Sequence, residues 1–252
     1  MTMLVACRLL PMVLIAASVC RAPQRVHAQE SVVRAQFDEI VGEYDKAQQE
    51  FFKAYQAAGT DKDRETVGAT YPSPQAYAPR LLRLAKEHPN DSVAEDALVW
   101  VVTRARFGKE CDEATEILLE DHIQSEKLGP ICLSLVYSGS QSAGNILQSL
   151  RDKNPHREVK GQASYALAIL KNQRQESGEA EKLFEDVVAS YGDIDVYGRT
   201  LGDLAKSELF ELHNLAVGKP APEIQGQDVD GREFLLSEYR GKVVVLDFWG
   251  DW

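Results

Sequence analysis

Cysteine is scarce in this 252-residue chain: Cys7, Cys20, Cys111 and Cys132 are all it has, and no two stand in a Cys-x-x-Cys spacing. No dithiol redox motif therefore lies inside the sequence. The five histidines, His27, His88, His122, His156 and His213, are scattered, and none has a second ligand at metal spacing. A glycine-rich phosphate loop and a serine-nucleophile elbow are both missing. Neither a metal nor a cofactor is expected on these grounds. Positive charge is short as well, since 28 Lys and Arg against 39 Asp and Glu give a net charge of −11. Binding a phosphate backbone needs clustered cations, so no nucleic acid partner is expected. The apolar run at residues 9–19 falls short of the roughly 20 residues of a spanning helix, so no membrane span is expected either.

What that run does fit is a secretion signal. Arg8 precedes it, and Val26-His27-Ala28 follows with the small-residue spacing of a signal-peptidase site. Residues 1–28 are read as a signal peptide cleaved after Ala28, which places the mature protein in the periplasm or another extracytoplasmic compartment. Cys20 is not read as a lipoprotein anchor, because Val19 is a poor residue before a lipidated cysteine. Cleavage removes Arg8, Arg21 and Arg25 and no acid, so the balance becomes 25 − 39 = −14. That suits a soluble exported protein. In an oxidising compartment the remaining pair, Cys111 and Cys132, is expected to form a disulfide closing a loop of about twenty residues, worth roughly 3 kcal/mol. The alternative, two buried thiols on neighbouring helices, stays open.

Residues 29–216 read as helix almost throughout. Val33, Phe37, Ile40, Tyr44, Ala47, Phe51 and Tyr55 recur at three- and four-residue steps, the pattern of one long amphipathic helix. Ser73-Pro74 supplies a cap and a first-turn proline for a helix carrying Leu81, Leu82 and Ala85, which His88-Pro89-Asn90-Asp91 ends. Further helices are expected near 93–107, 110–121, 126–136, 143–153, 159–171, 179–191 and 201–212. The pair spanning 161–192 is similar to a tetratricopeptide (TPR) hairpin. Ala163, Ala166 and Ala168 permit close approach, and Ala180, Leu183, Phe184, Val187 and Val188 form the facing stripe. No strict thirty-four-residue period repeats, so the region is read as a TPR-like α-helical array of divergent units.

The last segment, 217–252, has a different character. Val217-Gly218-Lys219-Pro220-Ala221-Pro222 leads into two short runs, 224–229 and 233–236, around Asp230-Gly231. These form a hairpin signal, because Asp-Gly tolerates the positive φ angles of a tight turn. Leu236-Ser237-Glu238-Tyr239-Arg240-Gly241-Lys242 then precedes Val243-Val244-Val245-Leu246-Asp247-Phe248, followed by Trp249-Gly250-Asp251-Trp252. The valine-rich run is short and follows a turn pair, so a buried strand is expected rather than a helix. Taken in this order, the pieces resemble the start of redoxins. That thioredoxin-like superfamily includes thiol-disulfide reductases and the alkyl hydroperoxide reductase/thiol-specific antioxidant proteins. The expected fold is thus mainly α: a TPR-like helical array followed by the first strands of a truncated α/β thioredoxin-like domain.

The resemblance assigns roles. In redoxins such a strand runs into a Trp-Cys-x-x-Cys active site; here Trp252 is present and the cysteine that would follow is not. Asp247 becomes the catalytic candidate, because the matching aspartate of thioredoxin-like proteins helps deprotonate the second, buried cysteine of the motif. Burial in an apolar strand would raise its pKa; the alternative is a merely solvated carboxylate. Trp249 and Trp252 are assigned to packing the site. Gly250-Asp251-Trp252 is similar to the thioredoxin and thiol-disulfide reductase pattern, whereas a peroxiredoxin would carry a proline after the aromatic pair and a threonine ahead of its cysteine.

Two readings of function from different classes stay open. The first is an exported thiol-disulfide oxidoreductase acting on protein or small-molecule disulfides with a thiol reductant. Its redox motif would lie beyond Trp252, and the chain as given would be inactive. The second is a helical-repeat binding or scaffold protein with a non-functional redoxin stub and a protein partner on the helical region. A peroxiredoxin-type antioxidant is a further alternative within the redoxins. Leaving 243–248 without a sheet would forgo about 1.5 to 3 kcal/mol per large apolar side chain, so a fragment of a longer protein is expected. A fragment edge, a nonsense codon and a selenocysteine UGA codon taken as a stop are the rival explanations. In the last of these, a more nucleophilic selenol occupies the attacking position.

Overall fold

The computed structural model describes residues 22–248. The expected leader at 1–28 lies outside them, apart from residues 22–28, which open the first helix. The chain divides into two compact units. One holds the residues up to Pro72 together with Arg83–Ala94, and the other holds Ser73–Leu82 and everything described from Glu95 on.

The first unit is dominated by α1 (Ala22–Ala57). Val33, Phe37, Ile40 and Tyr44 fall on one face, and of these Val33, Ile40 and Tyr44 are buried. Val33 packs with Leu84 and Val93, with Phe37 against them. Further along, the Phe51 ring meets Tyr71 edge to face at 5.0 Å. Gln48 Nε2 donates to the phenol oxygens of Tyr44 and Tyr71, each at 2.8 Å. Between them lies α2 (Asp61–Gly68), capped by Thr60, whose hydroxyl accepts from the Asp63 amide. No residue of α2 is buried. With no apolar stripe to show a period, this helix has no counterpart in the sequence reading.

A 3-10 turn at Pro74–Ala76 precedes α3 (Ala78–Glu87), and α4 (Ser92–Trp100) follows. The helix expected over 93–107 changes character part-way: Val101–Ala105 form a π-helical turn that ends at Arg106 in the left-handed region, with φ 64°. Gln75 Nε2 donates to the Ala105 carbonyl at 2.8 Å, beside the bond that oxygen accepts from the Phe107 amide at 2.8 Å.

The rest of the array comprises α5 (Lys109–Asp121), α6 (Gly129–Val136), α7 (Ala143–Lys153), α8 (Arg157–Gln173), α9 (Ser177–Tyr191) and α10 (Leu201–Asn214). Helix α8 packs on α6, α7 and α9, and α9 on α10. Phe184, Val187, Ala180, Ala168 and Tyr165 centre this core, joined by Leu201 and Ala205 of α10. Small residues allow the approach. A Cβ on Gly202 would stand 2.7 Å from the Gly192 carbonyl oxygen, to which the Gly202 amide donates at 3.1 Å. A hairpin the sequence reading missed, β1 (Asp195–Val196) with β2 (Arg199–Thr200), sits between α9 and α10.

The architecture is mainly α, with ten α-helices and two small antiparallel pairs among the described residues. The second pair, β3 (Gln225–Gln227) with β4 (Glu233–Leu235), stands where the hairpin was expected. Among the described residues, no helix is long and apolar enough to cross a membrane.

Candidate functional site

The segment from Val217 carries the residues that resemble redoxins, and its fold is local. Gly218 and Gly231 take left-handed φ of 90° and 78°, as a turn glycine can at little cost. Asp230 does not share that conformation; the turn is instead held by Asp228, whose Oδ1 accepts from the amides of Asp230 (2.9 Å) and Arg232 (2.8 Å). The Leu236 amide donates to the Ile224 carbonyl at 2.8 Å, extending the hairpin into a 3-10 turn at Leu236–Tyr239. Glu223 clamps the same corner. Its Oε1 accepts from the Ser237 amide at 2.9 Å, and the hydrogen bonding from Ser237 holds the carboxyl below its ordinary range. Phe234 covers Gly226 across the pair and meets Tyr239 edge to face at 6.5 Å. A cavity of about 280 Å³ lies beside this corner, lined by Pro220, Pro222, Glu223 and Arg240 among others. The sequence singled out neither Asp228 nor Glu223, although an acid two residues before Asp230-Gly231 is a recognisable turn signal.

The expectation of a buried strand at 243–248 is corrected. These residues form no strand and are exposed, with Val243 at 97% and Val245 at 88%. A strand is completed by ladder partners, and among the described residues β3 and β4 pair only with each other. Asp247 is accordingly solvent-exposed and makes no hydrogen bond or ion pair among the described residues. The burial on which its proposed chemistry rested is not present in this structure. Trp249 and Trp252, assigned to packing the site, lie outside the described residues.

The disulfide expected between Cys111 and Cys132 is also absent: both are buried free thiols. Each fills a small core position on its own helix, Cys111 on α5 and Cys132 on α6. Burial pushes the Cys132 thiol up to about 12, and its Sγ sits 3.6 Å from the Leu128 carbonyl. Burial also raises Cys111, with the neighbouring Asp112 carboxylate adding to it. Thiols held protonated in this way are poor nucleophiles. Neither Cys111 nor Cys132 is brought into contact with Asp247. Among the described residues, no group of three or more His, Cys, Asp or Glu side chains is placed to hold a metal ion.

Comparison with known proteins gives a short, strong match. Over 38 residues the chain is 53% identical to the thiol-disulfide oxidoreductase ResA of Geobacillus thermodenitrificans (strain NG80-2), covering 15% of this chain and 22% of the relative. The thiol-disulfide oxidoreductase ResA of Geobacillus kaustophilus (strain HTA426) matches over the same length with the same identity and coverage. The chain thus spans 22% of the length of the curated relatives it matches. No family model matches the chain. No solved structure matches it.

Proposed function

We propose that residues 217–252 are the opening part of a thioredoxin-like domain, and that the protein to which they belong is an exported thiol-disulfide oxidoreductase. The observation that carries this reading is the 53% identity over 38 residues to two thiol-disulfide oxidoreductases. The match is about as long as the segment from Val217 to Trp252. The hairpin β3–β4 is in keeping with it, since it stands where the Asp230-Gly231 turn signal put it, within the same segment.

In this reading residues 29–216 are a separate TPR-like region, and residues 1–28 direct export, with cleavage after Ala28. The redox cysteines follow Trp252. Asp247 then gains the burial it lacks here when residues 243–248 pair inside a complete sheet, and Trp249 and Trp252 pack beside the cysteine pair. The substrates are protein or small-molecule disulfides, turned over with a thiol reductant.

The test is insulin reduction by the protein translated from the reading frame carried past the Trp252 codon. A Cys-x-x-Cys or Sec-x-x-Cys pair next to Trp252 and thiol-dependent turnover support the reading. A frame without either removes it and leaves the helical-repeat scaffold reading in its place.

A further inference from the structure

We propose that a groove in the helical region, walled by Arg104, Arg106, Tyr137 and Tyr197, docks an extended acidic segment of a partner protein. The groove measures about 510 Å³, and Val99 and Leu133 contribute apolar lining. Three separate features of the structure converge on it.

The first is backbone strain. Only three non-glycine residues among those described have positive φ, and two of them, Arg106 (64°) and Tyr197 (55°), line this one groove. A side chain in the left-handed region crowds its own backbone, and asparagine or glycine fills such a position more easily. Tyr197 takes the first central position of the β1–β2 turn, where Gly198 follows at φ 81°. The second feature is exposure. Tyr197 is 84% exposed and Tyr137 64%, so neither ring serves the core. The turn sets the φ of Tyr197, while the choice of an exposed tyrosine there, where asparagine or glycine fits more easily, places an aromatic ring at the groove.

The third feature is charge. The chain holds 39 acidic against 28 basic residues, yet no carboxylate of the described residues lines this groove. Arg104 and Arg106 are exposed, and neither has an ion-pair partner among the described residues. Two unneutralised guanidinium groups donate paired hydrogen bonds to carboxylates, and flanking tyrosine rings offer rigid contact area at low entropic cost. An acidic polypeptide meets both. A nucleic acid would reach the same cations only against the net charge of −11. The inference goes beyond the redox reading and uses no residue after Asn214.

The experiment selects random decapeptides displayed on phage against the whole chain, then measures the winning peptide by fluorescence anisotropy. A consensus rich in Asp or Glu is expected, with affinity that falls as salt rises. Arg104→Ala combined with Arg106→Gly should weaken binding at least tenfold, and Tyr197→Asn at least threefold. Arg106→Gly and Tyr197→Asn suit their positive-φ positions and Arg104→Ala suits a helical one, so unfolding midpoints at or above the parent's separate lost binding from lost folding. No enriched consensus, a basic or uncharged consensus, or an acidic peptide whose affinity these variants leave unchanged would overturn the proposal. Insulin reduction takes no part in this measurement, so its failure and the failure of the redox reading are distinguishable.

Discussion

Asn154 has no exposed surface, yet both polar atoms of its side chain are used. Its amide nitrogen donates to the carbonyls of Ile123 and Ser125 at 2.8 Å each, and its Oδ1 accepts from the His156 amide at 2.8 Å. The side chain therefore ties the loop after α5 to the α7–α8 junction. Asn154→Ala is expected to cost about 2–4 kcal/mol, because three half-buried backbone groups lose partners worth roughly 0.5–1.5 kcal/mol each. Urea unfolding of the variant checks this, and a loss under about 0.5 kcal/mol would show that the groups find other partners. Cys132 makes the opposite point, a polar-capable atom used as an apolar one. Its ordinary value of 9.0 rises to about 12 on burial, so at pH 8 it holds roughly a thousandfold less thiolate than a free thiol. Iodoacetamide should leave Cys132 unmodified in the native chain and label both Cys111 and Cys132 after denaturation without reductant. A linked peptide in non-reduced mass spectra would instead restore the disulfide.

At the level of elements, approach distances set what the sequence tolerates. The α9–α10 connection closes on a backbone contact: a Cβ on Gly202 would also meet Gly192 Cα at 2.9 Å. Backbone cannot swing aside as a flexible side chain can, so Gly202→Ala should destabilise by about 1–3 kcal/mol. Thermal unfolding of that variant beside Gly178→Ala, where a Cβ meets nothing within 4 Å, separates contact from helix propensity. In the redoxin-like segment, the depressed pKa of Glu223 ties hairpin order to pH. A group whose folded pKa is lowered stabilises fully above its unfolded value, and that contribution is lost as pH falls through the folded value. The Ser237 amide resonance should therefore hold steady from neutral pH down through the ordinary glutamate range and shift only below it. A midpoint at the ordinary value would mean that the Glu223–Ser237 bond does not persist in solution.

Across the whole molecule, legibility followed the range of the interactions involved. α8 and α9 were readable because their buried residues recur at helical spacing, and the β3–β4 hairpin because its turn chemistry is local. The π-helical turn at Val101–Ala105 was not, since its apolar residues continue the helical pattern unbroken. The β1–β2 hairpin was hidden by strands of two residues and by a Tyr-Gly turn in place of Asn-Gly. Residues 243–248 failed for a different reason, because β-branched composition states a preference that only distant ladder partners can fulfil. The same dependence decides the chemistry. Disulfide reduction needs an accessible thiolate to attack and a second thiol to resolve the mixed disulfide. The thiols of the described residues, Cys111 and Cys132, are buried and shifted toward the protonated form. The 252-residue chain is thus expected to reduce insulin no faster than the thiol reductant alone, and Cys111→Ser or Cys132→Ser should leave that rate unchanged. Turnover above the uncatalysed rate that disappears in either variant would place the redox site within the helices and detach it from the segment that resembles a redoxin.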